Sequence, residues 1–202
     1  SRAKLEGQRA LDPVQFQCLY QGNPGNAEGK LYRNPFRTYV DKSEWGTYVR
    51  SGNYTDVADE GDDFTFSACY DVYKSGNEAW NEQKKRFEPI LYALITDMVF
   101  TQENTEVTAV TVPEMINRCG TQKAWIESNN GGAGFEKLIR KKIKAISEPF
   151  YQGANKESRI ITNSASVNAQ IIMPLGWEER FPKIHEHVTG FLRDFPANEH
   201  DD

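Results

Sequence analysis

The clearest regularity in the sequence is an alternation with period two: Phe64, Phe66, Ala68, Tyr70 and Val72 interleave with Thr65, Ser67, Cys69 and Asp71. Successive strand side chains point to opposite faces, so this stretch predicts a half-buried strand. Ahead of it, Tyr54-Thr55-Asp56-Val57-Ala58 predicts another strand, broken at Asp59-Glu60-Gly61-Asp62-Asp63, and the two read as a hairpin. Residues 74–88 form a polar, charged excursion, expected to be a hairpin or loop, and Pro89 ends it. Ile90 to Phe100 is apolar almost throughout and predicts a third, central strand, with Asp97 inside it as a structural acid. Thr105 to Cys119 carries Val107, Val110, Met115 and Ile116 toward Gly120, a helix pattern with a glycine stop, interrupted by Pro113.

Ala124-Trp125-Ile126 is a short apolar run bounded by turn residues and predicts a buried strand. Glu127 ends it, and the glycine-rich turn Ser128-Asn129-Asn130-Gly131-Gly132 follows. The helix after Gly134 has Phe135, Leu138, Ile139 and Ile143 on one face and Lys137, Arg140, Lys141, Lys142 and Lys144 on the other. Ala145 to Phe150 predicts a strand, and Asn155 to about Asn168 a helix. Gln170 to Met173 predicts a short strand stopped by Pro174, and Glu178 to Phe195 a last helix with Ile184, Val188, Phe191 and Leu192 facing inward. Residues 1–50 hold no long periodic segment, only a short helix-like piece around Val14, Phe16, Leu19 and Tyr20.

Composition changes the picture in four places. With 38% hydrophobic and 12% aromatic residues in 202, the chain can bury a real core and is not a disordered tail. No apolar run approaches the roughly 20 residues of a membrane span, and the N-terminus has no signal-peptide apolar region. Cys18, Cys69 and Cys119 are scattered without a CxxC pair, which suits a reducing compartment and excludes a zinc ribbon. The net charge of −5 argues against nucleic acid when taken alone. Yet the acids gather at 56–63 and the C-terminus and the bases at 137–144, so carboxylates can stand beside a basic rim.

Two motif-like stretches fail on spacing. Gly25, Gly29 and Lys30 have one residue too few for a phosphate loop, and Leu31 stands where Ser or Thr would bind magnesium. The 59–63 turn lacks the ligand spacing of an EF-hand and reads as a solvated acidic turn. Asp56 differs, because it belongs to a strand. An isolated strand-end glutamate more often caps a turn, but strands of α/β sheets present their carboxyl ends to ligands, so Glu127 is placed to act outward. Three strands, a helix, a strand and a helix is the order of a ribonuclease-H-like core, an α/β fold whose mixed sheet is flanked by helices. Acids from the first strand, the fourth strand and a late helix meet in such a core, and Asp56, Glu127 and Asp201/Asp202 fall at those places. Such hard oxygen ligands favour two Mg²⁺ or Mn²⁺ ions and hydrolysis of a phosphodiester.

The assembled pattern resembles the C-terminal nuclease domain of a tailed-phage large terminase subunit, the DNA-packaging motor. Tyr54 to Ala58 with Gly61-Asp62-Asp63 resembles the family's first acidic motif, Trp125 to Gly132 its second, and His200-Asp201-Asp202 its last. Asp12-Pro13 through Phe16, Tyr20-Gln21, Asn23-Pro24 and Gly29-Lys30-Leu31-Tyr32 look like the linker after the family's ATPase domain, and Asn155-Lys156 with Arg159-Ile160 like a basic segment before the last strand. The resemblance implies a linker over 1–50 and a nuclease domain over 51–202. It implies metal binding and catalysis by Asp56, Glu127, Asp201 and Asp202, with the last two undivided, and Asp63 and His200 as secondary groups. DNA contacts are expected from Lys84, Lys85, Arg86, Lys137, Arg140, Lys141, Lys156 and Arg159, although a basic face is as often simply solvated.

The implied activity is cutting of concatemeric double-stranded DNA in the cytoplasm of an infected bacterium or one carrying the prophage. The implied partners are the ATPase domain, which would precede Ser1, the small terminase subunit and the portal or procapsid, with no membrane. Without ATPase motifs the chain is expected neither to hydrolyse ATP nor to translocate DNA. Two alternatives stand beside this: a Holliday-junction resolvase of the same fold, and a non-catalytic DNA-binding or assembly module whose acids are structural.

Overall fold

The computed structural model describes residues 29–32, 35–58, 63–81, 84–129, 132–153 and 155–192. Its frame is a seven-stranded mixed sheet in the order β1-β7-β4-β3-β2-β5-β6. The middle is an antiparallel meander of β2 (Thr47–Asp56), β3 (Thr65–Asn81) and β4 (Arg86–Thr101). On one side β5 (Lys123–Glu127) joins β2 in parallel, and β6 (Ile146–Phe150) joins β5 in parallel. On the other, β7 (Ile171–Pro174) lies parallel to β4, and β1 (Thr38–Tyr39) parallel to β7.

Among the described residues five α-helices cover the sheet: α1 (Thr105–Arg118), α2 (Gly132–Ile139), α3 (Lys156–Gln170), α4 (Trp177–Arg180) and α5 (Pro182–Gly190). Each of the long ones starts on a recognisable signal. The Asn104 side chain accepts from the Val107 backbone N–H at 3.1 Å, and Asn155 caps Ser158 in the same way at 3.0 Å. Pro113 sits inside α1 without ending it. One core packs α1 and α2 on the sheet through Val112, Ile116, Ile126, Phe135 and Ile139. A second packs α4 and α5 through Ala68, Met98, Met173, Trp177 and Ile184. The alternation of β3 feeds both, with Cys69 in the first and Ala68 in the second.

On the α1–α2 side β2 carries polar rather than apolar groups, and they satisfy one another. The Asn53 amide donates to Ser67 Oγ at 2.9 Å and to the Ala68 carbonyl at 3.1 Å, and Thr55 Oγ1 donates to Asn53 Oδ1 at 2.9 Å. All are buried, so the network locks the register of β2 against β3 and fixes where β2 delivers its last residue, Asp56.

The 74–88 excursion is a hairpin ribbon whose arms continue the sheet: β3 runs on to Asn81 and β4 starts at Arg86. Polar residues hide its alternation, and cross-strand contacts such as Trp80 against Phe87, ring centroids 5.3 Å apart, hold it. The expected last helix over 178–195 is two helices, broken at Phe181 where Pro182 restarts the turn. Within Lys30 to Tyr39, Thr38–Tyr39 forms the edge strand β1.

Candidate active site

β2 and β5 run parallel with Tyr54 opposite Trp125 and Thr55 opposite Ile126. One step beyond the end of this ladder stand Asp56 and Glu127, the last residues of their strands. Side chains two apart on a strand share a face, and paired residues do too, so Tyr54, Asp56 and Glu127 all point the same way. Neighbouring strands lie about 4.8 Å apart, which makes the two carboxylates immediate neighbours at the carboxyl edge of the sheet.

Glu127 is 7% exposed, and both its oxygens are bound by neutral groups. The Tyr54 hydroxyl donates to Oε2 at 2.9 Å, and the Asn129 amide donates to Oε1 at 2.7 Å. Among the described residues no ion pair reaches Glu127. Burial, then the charges of Glu127 and Asp56 and the hydrogen bond to Glu127, push the Tyr54 hydroxyl well above the usual tyrosine pKa, and Arg159 opposes them. Tyr54 therefore stays protonated and stays a donor. The same balance places the negative charges of both acids and the positive charge of Arg159 around one hydroxyl. Arg159 Nε is itself buried with no hydrogen-bond partner in the structure.

The turn after β5 is stitched to the exit of β6. Ser128 donates its backbone N–H and its hydroxyl to the Phe150 carbonyl, both at 2.8 Å. Gly132 opens α2 directly beneath Glu127, and a Cβ there would lie 1.8 Å from the Glu127 carbonyl oxygen. Only glycine fits that approach.

The sequence-derived residues sort by position along the strands. Asp56 and Glu127 come together; Asp63 is exposed just ahead of β3, at the same end of the sheet. Lys156 and Arg159 lie in the first turn of α3, and the Arg159 charge is felt at the Tyr54 hydroxyl. Lys84, Lys85 and Arg86 lie at the ribbon tip, roughly 50 Å of strand away at about 3.3 Å per residue. There Lys84 and Arg86 pair with Glu88 at 2.9 and 2.6 Å. Lys137 is exposed on α2, and Arg140 and Lys141 follow that helix, toward the edge where β5 and β6 begin. His200, Asp201 and Asp202 lie outside the described residues.

The residues present fit a divalent cation of the magnesium or manganese kind. Both acids are hard oxygen donors side by side, and a buried carboxylate with only neutral donors suits a cationic partner. Among the described residues, however, no three His, Cys, Asp or Glu side chains gather closely enough to hold an ion. The pair supplies two donors and needs more. Tyr54 and Asn129 had no role in the sequence reading; their signal is spacing, two residues before Asp56 and two after Glu127.

Sheet order, flanking helices and the acid edge define a ribonuclease-H-like α/β fold. Among solved structures, the chain is similar to the human cytomegalovirus terminase nuclease domain, a Mn-soaked, inhibitor-bound structure, with a TM-score of 0.52 and 12% identity over 83% of this chain and 88% of that one. That likeness is one of fold: the sheet and flanking helices are arranged as in that domain. No protein-family model matches the sequence, and no curated protein does either.

Proposed function

We propose that this chain is a metal-dependent endonuclease of the terminase type, cutting double-stranded viral DNA during genome packaging. The observation that carries the reading is the convergence of Asp56 and Glu127 on one face at the carboxyl ends of neighbouring strands, with Tyr54 donating to Glu127 between them. The similar cytomegalovirus domain is a terminase nuclease studied with manganese, which supports the same chemistry for this fold.

Asp56 and Glu127 would hold the ions, with Asp201 or Asp202 completing the set. Two such ions, when bound, activate a water and stabilise the leaving oxygen of a phosphodiester. Arg159 and Lys156 would grip phosphate oxygens beside the acids, Arg159 through a planar fork suited to them. Tyr54 keeps its proton and holds Glu127 in place. The substrate in this reading is concatemeric duplex DNA, and the partners are an ATPase domain, a small terminase subunit and a portal.

The test is single-turnover cleavage of a linear duplex and a four-way junction of matched sequence, in Mn²⁺ and in EDTA. The expected result is duplex cutting in Mn²⁺ only, reduced about 100-fold or more in Asp56→Asn and Glu127→Gln. Strong preference for the junction would instead make the chain a resolvase. DNA binding in EDTA without any cleavage would make it an assembly module.

A further inference from the structure

We propose that Tyr54 and Asn129 are positioning residues that hold the Glu127 carboxylate in a single orientation and leave one lone pair on each oxygen for metal. This rests on the metal-dependent reading above and adds the groups that set its affinity.

The geometry leaves little freedom. An ionised carboxylate offers about four acceptor sites, two on each oxygen. Tyr54 takes one on Oε2 and Asn129 one on Oε1, from opposite elements of the fold. Both donors are uncharged, so they orient the carboxylate without neutralising it as a lysine or arginine would.

The Asn129 amide is itself pinned. Its NH₂ also donates to the Gln152 carbonyl at 2.8 Å, and its Oδ1 accepts from the Gln152 backbone N–H at 3.1 Å. Turning the amide over would set its oxygen against the Glu127 carboxylate and the Gln152 carbonyl together. The assignment is therefore forced by chemistry rather than chosen. Tyr54 is pinned from the other side, its ring against Phe150 with centroids 5.4 Å apart.

Phe150 and Gln152 lie in the segment that runs out of β6 into α3, the helix that carries Lys156 and Arg159. The carboxylate is thus braced against the same stretch of chain that positions the phosphate-binding arginine. Outer partners of metal ligands typically change affinity or activity by about 10–100-fold when removed.

The experiment is a calorimetric titration of Mn²⁺ into the full 202-residue chain without DNA, for wild type, Tyr54→Phe, Asn129→Ala and, as a control at the far end of β2, Tyr48→Phe. Tyr54→Phe keeps the ring packing and removes only the hydroxyl, so it remains informative even where Asn129→Ala folds poorly. The expected result is Mn²⁺ binding weakened about 10–100-fold in Tyr54→Phe and Asn129→Ala, with an unchanged control and unfolding midpoints close to wild type. In cleavage, the Mn²⁺ concentration for half-maximal rate should rise in parallel while KM for DNA stays fixed. Binding within twofold of wild type in both variants overturns the positioning role and leaves the metal site standing. No Mn²⁺ binding by wild type overturns the metal reading and this inference with it.

Discussion

At the scale of single residues, the site depends on contacts too close to tolerate change. A Cβ on Gly132 would meet the Glu127 carbonyl oxygen at 1.8 Å, so either α2 or the end of β5 must shift. Gly132→Ala is expected to cost about 2–3 kcal/mol in urea unfolding and to lower cleavage with it. A loss under about 0.5 kcal/mol would show that the turn relaxes freely. Cys119 gives a prediction tied to pH. A hydrogen bond from the Cys69 thiol, against partial burial and aided by Thr96 and Arg118, brings its pKa down to about 7. The fully buried Cys69 is pushed up by that same bond and by burial. Pulse alkylation read by peptide mass spectrometry should therefore modify Cys119 with a midpoint near 7 and spare Cys69 in the folded protein. A midpoint near the ordinary thiol value of about 8.5 would contradict this.

At the scale of elements, the sheet is held to its helices by an acid that takes no part in the site. Asp97 on β4 is buried and accepts from Arg118 at the end of α1 at 2.7 Å and from Arg180 of α4 at 2.9 Å. Asp97→Ala is expected to destabilise by about 1–3 kcal/mol, because it leaves two guanidinium groups without their acceptor. Arg118→Ala should cost less than about 1 kcal/mol, since that side chain is 64% exposed and its partner keeps Arg180. Equal losses in urea unfolding would refute the ranking. The structural role of Asp97 was legible, since an acid inside a run as apolar as Ile90–Phe100 must find partners. So was the strand ending at Glu127, from its apolar run and glycine turn. Whether 74–88 was a hairpin or a loop was not, because alternation fails as a signal where both faces meet solvent and most positions are polar. The Tyr54–Glu127 bond was not either, because it spans 73 residues and exists only once β5 has added beside β2.

At the scale of the whole molecule, charge and topology separate the two ends of the sheet. Asp56, Glu127 and Asp63 gather at one end with Lys156 and Arg159, while Lys84, Lys85 and Arg86 stand at the far tip of the ribbon. With a net charge of −5, general attraction to DNA is weak, so in the proposed reading productive contact would come from the acid edge, the ions it would hold and Arg159. The measurement that bears most directly on this is a time course of supercoiled-plasmid cleavage by the full chain in Mn²⁺, in Mg²⁺ and in EDTA, beside Glu127→Gln. The account predicts nicked and then linear plasmid with metal, nothing in EDTA, and almost nothing from the variant. Cutting that persists in EDTA, or that Glu127→Gln retains in full, would contradict it.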